Sequence, residues 1–159
     1  MTIKVGVLSD SHGLLRPQVA AILKTCDCAI HAGDVDDQAI LDELRALVPL
    51  RVVRGNNDWR WIEELPHKLR FVIGGVQFLM VHSFSDTPRE LGDVQVVVFG
   101  HTHQYFQKMV EGRLWLNPGS CGRRRYGADL SMAILYIEED GAYRVERIDL
   151  EPEPGLLAK

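Results

Sequence analysis

Short, largely apolar runs that end in metal-binding side chains are the feature that most constrains this chain. Five such runs are each followed, within four residues, by Asp, Asn or His. Runs of this length, rich in β-branched residues, predict buried strands. In open α/β sheets, ligands bind beyond the carboxyl ends of the strands. We therefore expect one polar site that contains the residues after the runs, namely Asp10, His12, Asp34, Asn56, His82, His101 and His103.

Apolar periodicity predicts strands that alternate with helices in the first half of the chain. Strands are expected at about 3–8, 28–32 and 50–54, and the segments between them have apolar residues at helical spacing. The first helix should begin near Pro17 and the second should end before Pro49. Later strands are expected at about 69–73, 76–81, 95–99, 105–110, 113–116, 130–137 and 142–149.

The second half of the chain is expected to consist mainly of β-hairpins. Gly74-Gly75 lies between two predicted strands and is a two-residue hairpin signal. Only one short helix fits between Ser83 and Gln95, and we expect it to begin at Pro88. The predicted fold class is therefore α/β, with two sheets.

Length and charge limit the organisation and the partners of the chain. With 159 residues, we expect a single domain over 1–150 and a frayed tail at 151–159. The net charge of −4 provides no general attraction to nucleic acid or to membranes. No stretch approaches the roughly 18–20 apolar residues that a membrane-spanning helix needs. The three cysteines have no usual metal or redox spacing, and the N-terminus does not resemble a signal peptide, so we expect a cytoplasmic protein.

The residue types at the strand ends favour metal binding over structural roles. In an extended segment, residues two apart project to the same side, so Asp10 and His12 can contact one ion, and His101 and His103 can do the same. Any one of these residues alone would more often be a structural polar residue. Burying all seven together without a cation would be costly, because buried charges must be paired or bound to metal. Two carboxylates, an amide and four imidazoles are enough donors for two ions.

The order and spacing of the motifs resemble those of the calcineurin-like metallophosphoesterases. The motifs are Asp10-Ser-His12, Gly33-Asp34-Val-Asp-Asp37, Gly55-Asn56-Asn57-Asp58, the isolated His82, and Gly100-His101-Thr-His103. Asn117-Pro-Gly-Ser120 is similar to the corresponding turn of the small prokaryotic YfcE-like phosphodiesterases. The resemblance covers residues 3 to about 137 and implies two sheets flanked by helices, in four αββα layers.

The resemblance also implies a function and a set of site residues. It suggests a phosphodiesterase that hydrolyses a small phosphodiester by attack of a metal-bridging hydroxide. The first ion would be held by Asp10, His12, Asp34 and His103. The second would be held by Asp34, Asn56, His82 and His101. We expect two divalent ions, Mn²⁺ first, with Fe, Ni²⁺, Co²⁺ or Zn²⁺ as alternatives. The positions assigned to catalysis are Asp34, Asn56, Asn57 and Asp58.

Two positions depart from the family pattern. Many relatives have histidine where this chain has Asn57, and a carboxamide cannot donate a proton to a leaving group. Ser83 stands where glycine is usual after the metal-binding histidine, in a segment that commonly shapes the substrate entrance. Nearby, the arginines of the run after the Asn-Pro-Gly-Ser turn are candidates for binding the substrate phosphate, although such runs are usually solvated: Arg123, Arg124 and Arg125.

Other residues have simpler interpretations. His31 is expected to be a core or supporting histidine, and His67 to be exposed. Asp37 and Asp58 are expected to bind loop backbone or to orient ligands. Trp59 and Trp61 are expected to pack in the core or on a partner surface.

Two alternative functions remain open. One is a catalytically silent metal-binding scaffold, for which the retromer subunit of this fold is a precedent. The other is a phosphomonoesterase or protein phosphatase. We expect a small-molecule phosphoester as the substrate, and the sequence does not indicate an oligomeric state.

Overall fold

The computed structural model describes residues 1–58, 62–124 and 129–150, which form two β-sheets and two α-helices. The helices are α1 (Pro17–Leu23) and α2 (Gln38–Leu47). The strands of the first half are β1 (Ile3–Leu8), β2 (Cys28–His31), β3 (Leu50–Val52), β4 (Lys68–Ile73) and β5 (Val76–Val81). Those of the second half are β6 (Val96–Val98), β7 (Phe106–Val110), β8 (Arg113–Asn117), β9 (Ser131–Ile137) and β10 (Tyr143–Asp149).

Each sheet has five strands and mixes parallel with antiparallel pairs. The first sheet has the order β10-β9-β1-β2-β3, and β1, β2 and β3 run parallel because helices connect them. The second sheet has the order β4-β5-β6-β8-β7, with β5, β6 and β8 parallel. Hairpins supply the antiparallel pairs β4–β5 and β7–β8. The predicted α/β class with two sheets is confirmed.

The core lies between the two sheets because alternate strand residues point to the same face. Val5 and Val7 of β1 face Phe78 and Met80 of β5 across this core, and all four side chains are buried. The outer face of the first sheet is covered by both helices, through Leu23 of α1 and other apolar residues. The parallel strands therefore have both faces buried, as is typical of their apolar runs.

A loop, rather than an α-helix, covers the outer face of the second sheet. Leu91 and Val94 of this loop pack on that face, and the loop contains one 3₁₀ turn at Phe84–Asp86. The prediction of a helix beginning at Pro88 is wrong. Thr87, which precedes this proline, has extended backbone and closes the turn with an N–H bond to the Phe84 carbonyl at 3.1 Å.

Some predictions concern residues beyond the described ones. The tail at 151–159 and the two tryptophans Trp59 and Trp61 lie outside them, and the domain bounds of 1–150 stay a prediction. Within the described residues, no helix is long and apolar enough to cross a membrane.

Candidate metal centre

The seven candidate ligands lie in the loops that follow the carboxyl ends of strands. Five of them have a left-handed backbone, which is uncommon for residues other than glycine and concentrates at functional sites. The φ angles are 55° at Asp10, 46° at His12, 63° at Asp34, 74° at His101 and 64° at His103. Each of these turns therefore lets the chain leave its strand abruptly.

The first group of ligands consists of Asp10, His12 and His103, all buried. The Nε2 atoms of the two histidines lie 3.1 Å apart. Asp10 Oδ1 lies 3.5 Å from His103 Nε2 and 3.7 Å from His12 Nε2. Asp10 Oδ2, in contrast, accepts hydrogen bonds from the Ser9 hydroxyl and the His101 N–H.

Asp10 Oδ1 shows that these residues fit a cation. It is buried and has no hydrogen-bond partner among the described residues. Leaving such an oxygen without a partner costs about 1–3 kcal/mol or more. Three imidazole nitrogens surround it, the third being His82 Nε2 at 3.9 Å. A buried carboxylate oxygen that lacks a hydrogen bond, together with the histidine nitrogens that converge on it, matches the donor set of a divalent metal ion.

The second group of ligands lies beside the first and consists of Asp34, Asn56, His82 and His101. The Asn56 carbonyl oxygen is 2.9 Å from His82 Nε2 and 3.2 Å from His101 Nδ1. His82 Nδ1 donates to the Ala32 carbonyl at 2.8 Å, so this nitrogen carries the proton. In the neutral ring, Nε2 then has the lone pair and is directed toward the group, as in metal-binding histidines.

Asp34 lies between the two groups. Its Oδ2 is 3.2 Å from His82 Nε2 and 3.7 Å from His12 Nε2. Its Oδ1 accepts the Asn57 N–H at 2.9 Å. The structure therefore brings all seven predicted ligand residues together and gives Asp34 contacts on both sides.

Opposite charges balance one another in this centre. Burial alone would lower the pKa of His12, but Asp10, Asp36 and Asp34 outweigh burial and raise it to about 9. Burial would raise the pKa of the Asp34 carboxyl, but its interactions with His82, Asn57 and His12 bring it below the ordinary value. Without metal, protonated histidine thus replaces the cation, and metal binding must release those protons.

Asp58 holds two ligand loops together. Its Oδ2 accepts the N–H groups of Asp34 at 2.7 Å, Val35 at 3.2 Å and Gly55 at 3.0 Å. Its Oδ1 accepts the Asp36 N–H at 2.8 Å. Asp34, Asp36 and Asp58 are also close enough to form a third possible metal group, but these four bonds already occupy the Asp58 carboxylate.

Two neighbouring aspartates have different roles. Asp36 Oδ2 accepts from His12 Nδ1 at 2.7 Å and so orients the imidazole with Nε2 toward the first group. Asp37 instead accepts the Ala39 N–H and caps α2. Asp37 was a candidate from the sequence and Asp36 was not, because nothing in their spacing distinguishes the two residues.

His31 connects the two loops that carry Asp10 and Asp34. It is fully buried, as predicted, and its Nδ1 accepts the Gly33 N–H at 3.0 Å. Its Nε2 lies 2.9 Å from the Ser11 hydroxyl, to which it donates. These bonds tie the Asp10–His12 turn to the turn that carries Asp34.

We expect His31 to make the stability of the metal-free protein pH-dependent. Burial lowers its pKa to about 4, against 6.5 in the unfolded chain. The unfolded state therefore binds the proton first as pH falls, so the contribution of His31 is complete above about pH 6.5 and is lost toward pH 4. The loss approaches about 3 kcal/mol.

The measurement is chemical denaturation with a chelator at several pH values. Wild type should lose more stability between pH 7 and pH 4.5 than His31→Gln, whose side chain does not titrate. Parallel pH curves for the two proteins would show that His31 does not carry this dependence.

The structure describes two arginines of the run that follows the Asn-Pro-Gly-Ser turn. Arg123 Nε donates to the His12 carbonyl at 3.2 Å and so supports a ligand loop. Arg124 Nη2 lies 3.9 Å from Asp129 Oδ1. Arg125 lies outside the described residues, and phosphate binding by any of the three stays a prediction.

A cleft of about 330 Å³ opens beside the second group. Three of the candidate ligands form part of its wall, namely Asn56, His82 and His101. The rest of the described lining comprises Arg54, Gly55, His67, Ser83 and Asp86. His67 is exposed, as predicted, whereas Arg54 was missed. The sequence offers no signal for Arg54 beyond its place two residues before Asn56.

Known proteins are similar to this chain in sequence and in fold. The family model for the calcineurin-like phosphoesterase superfamily domain matches residues 3–140. A probable metallophosphoesterase of Methanothermobacter thermautotrophicus is 33% identical, over 92% of this chain and 90% of its own length. A Methanocaldococcus jannaschii protein named as a phosphodiesterase is 25% identical, over 74% of this chain and 84% of its own length. The structure of Vps29 from Entamoeba histolytica with Zn²⁺ superposes with a TM-score of 0.71 at 25% identity, covering 92% of this chain and 99% of that one.

These similarities agree with the motifs and with their arrangement around the buried Asp10. The matched family model spans β1 to β9 and includes every candidate ligand. Since a family model matches most of the chain, the resemblance seen in the motifs is confirmed, and the chain belongs to the calcineurin-like phosphoesterase superfamily.

Proposed function

We propose that this protein is a phosphodiesterase that uses two divalent metal ions to hydrolyse a small phosphodiester. The observation that carries the proposal is Asp10 Oδ1, a buried carboxylate oxygen that faces three imidazole nitrogens and has no hydrogen-bond partner among the described residues. The phosphodiesterase name of the M. jannaschii relative supports the reaction class. The three free thiols fit a reducing location such as the cytoplasm.

The two groups of ligands divide the work of holding the ions. Asp10, His12 and His103 would hold one ion, and Asn56, His82 and His101 the other, with Asp34 shared. Two divalent cations bound there would supply Lewis acidity that neutralises the phosphate oxygens and makes a water nucleophilic at neutral pH. Mn²⁺ is our first choice, and Fe, Ni²⁺, Co²⁺ or Zn²⁺ also suit the mixed donors.

Neighbouring residues of the protein orient the side chains that would hold these ions. Asp36 fixes the ring of His12, and the Ala32 carbonyl fixes the ring of His82. Asp58 holds the loop of Asp34 against that of Asn56 through backbone bonds. Fixed ligands keep the substrate phosphate in a single orientation for in-line displacement.

A silent scaffold is the alternative, because Vps29 has the same fold. The donor set fits metal ions in either case, so metal-dependent turnover of a phosphodiester distinguishes the enzyme from the metal-binding scaffold.

Asn57 leads us to expect a preference for good leaving groups. Its backbone N–H is bonded to Asp34, and its carboxamide side chain has no proton to give. General acids contribute about 10²–10⁴-fold, so unactivated alkyl esters should react far more slowly than aryl diesters. Asn57→His should raise the rate on an alkyl ester by at least about tenfold and change the aryl rate less.

The measurement is Mn²⁺-dependent turnover of bis(p-nitrophenyl) phosphate beside an alkyl phosphodiester. A rate with aryl substrate that does not depend on added metal would contradict the proposed function. Equal rates on aryl and alkyl substrates would contradict only the role given to Asn57.

A further inference from the structure

The cleft beside the second ligand group contains a cation that has no partner among the described residues. Arg54 follows β3 and lies two residues before the candidate ligand Asn56. Its backbone N–H donates to the Pro66 carbonyl at 2.7 Å, which fixes this stretch of chain along the cleft wall. His82 and His101 are also part of that wall.

The Arg54 side chain differs from other arginines of the described residues. It is partly buried, yet among the described residues its guanidinium makes no hydrogen bond and no ion pair. Arg45, by comparison, pairs with Glu63 through both terminal nitrogens. Arg113 donates to the Val94 and Gly92 carbonyls. A partly buried guanidinium with unused donors is costly, and an anion in the cleft would relieve that cost.

The charge of the cleft supports an anionic ligand at this point. Asp86 is the only carboxylate of the described lining; it is exposed and forms no ion pair with Arg54. The charge of a reacting phosphodiester would be neutralised at the ligand groups themselves. Arg54 is therefore available for a different anionic group, on an arm of the substrate that extends along the cleft.

Resting on the proposed function, we propose that Arg54 binds a second anionic group of the substrate. The substrate class is then a phosphodiester with a carboxylate or phosphate on one arm. The planar guanidinium binds such groups through paired, charge-assisted hydrogen bonds. Arg54 thus determines specificity, while the ligand groups act on the ester bond.

Two isosteric esters test this inference. Carboxypentyl p-nitrophenyl phosphate and its amide, carbamoylpentyl p-nitrophenyl phosphate, have the same leaving group and differ only in the charge of the distal arm. The Mn²⁺-loaded wild type should prefer the carboxylate ester by about tenfold in kcat/KM. Arg54→Gln should bring this ratio close to one. Arg89→Gln, which removes an exposed arginine that is not part of the described cleft lining, should keep the wild-type ratio.

Each result separates the two proposals. Equal hydrolysis of both esters by wild type, or an unchanged ratio in Arg54→Gln, would overturn the inference and leave the proposed function standing. If Arg54 instead contacts the reacting phosphate, both esters are affected equally, and wild type and Arg54→Gln have the same kcat/KM ratio. Hydrolysis of neither ester would overturn the proposed function. Calorimetric titration with the same two esters would then decide whether Arg54 forms an anion subsite. Tighter binding of the carboxylate by wild type but not by Arg54→Gln would support the subsite, and equal binding would overturn it.

Discussion

Asp34→Asn is expected to lower kcat for bis(p-nitrophenyl) phosphate by at least about 10³-fold. Asp34 Oδ2 lies 3.2 Å from a nitrogen of the second ligand group and 3.7 Å from one of the first. An amide has nearly the same shape but no negative charge, so both ions would lose a shared ligand. Metal analysis by mass spectrometry should accordingly show fewer than two bound ions per chain.

Asp37→Asn is the matched control for this substitution. Asp37 lies in the same loop, but its carboxylate caps α2 rather than facing the ligand groups. Asparagine caps helices as well as aspartate does. Activity and metal content should therefore stay at the wild-type level. Full activity in Asp34→Asn, with two bound ions, would contradict the role given to this carboxylate.

Asp58→Ala is expected to destabilise the metal-free protein by at least about 3 kcal/mol. The buried Asp58 carboxylate accepts four backbone N–H groups from two loops, and alanine would leave those donors without their partner. The loops carry Asp34 and Asn56, so metal affinity should fall as well, by about 10–100-fold. Urea denaturation and metal titration measure the two effects separately.

An exposed aspartate provides the comparison. Asp93→Asn, in the loop over the second sheet, should change stability by no more than about 0.5 kcal/mol. Asp58→Asn should fall between the two variants, because its carbonyl still accepts while its amide faces N–H donors. Stability of Asp58→Ala within about 1 kcal/mol of wild type would show that the four bonds are not what joins the loops.

The strands could be predicted because their signal is local. Val5 and Val7 alternate with residues of the other face, and β1 was predicted with the bounds observed, Ile3–Leu8. The ligands followed from the strands, because the ends of parallel strands meet at one edge of a sheet. For the same reason, residues as distant in sequence as Asp10 and His103 could be expected to lie close together.

The parts that could not be predicted depend on tertiary contacts. Arg54 is distinguished by a guanidinium that has no partner among the described residues, and this property depends on the tertiary contacts. Asp36 and Asp37 are equivalent in sequence, and only the position of the His12 ring distinguishes them. The loop over the second sheet was predicted to be helical from Pro88, whereas Phe84 anchors it earlier against Phe99 and Trp115.

We propose that the seven donors around Asp10 and Asp34 bind two metal ions. The most direct measurement is an anomalous-scattering map from crystals of the protein loaded with Mn²⁺. We expect two separate peaks, one among Asp10, His12 and His103 and one among Asn56, His82 and His101, with Asp34 contacting both. A single peak, or none near Asp10 Oδ1, would contradict it.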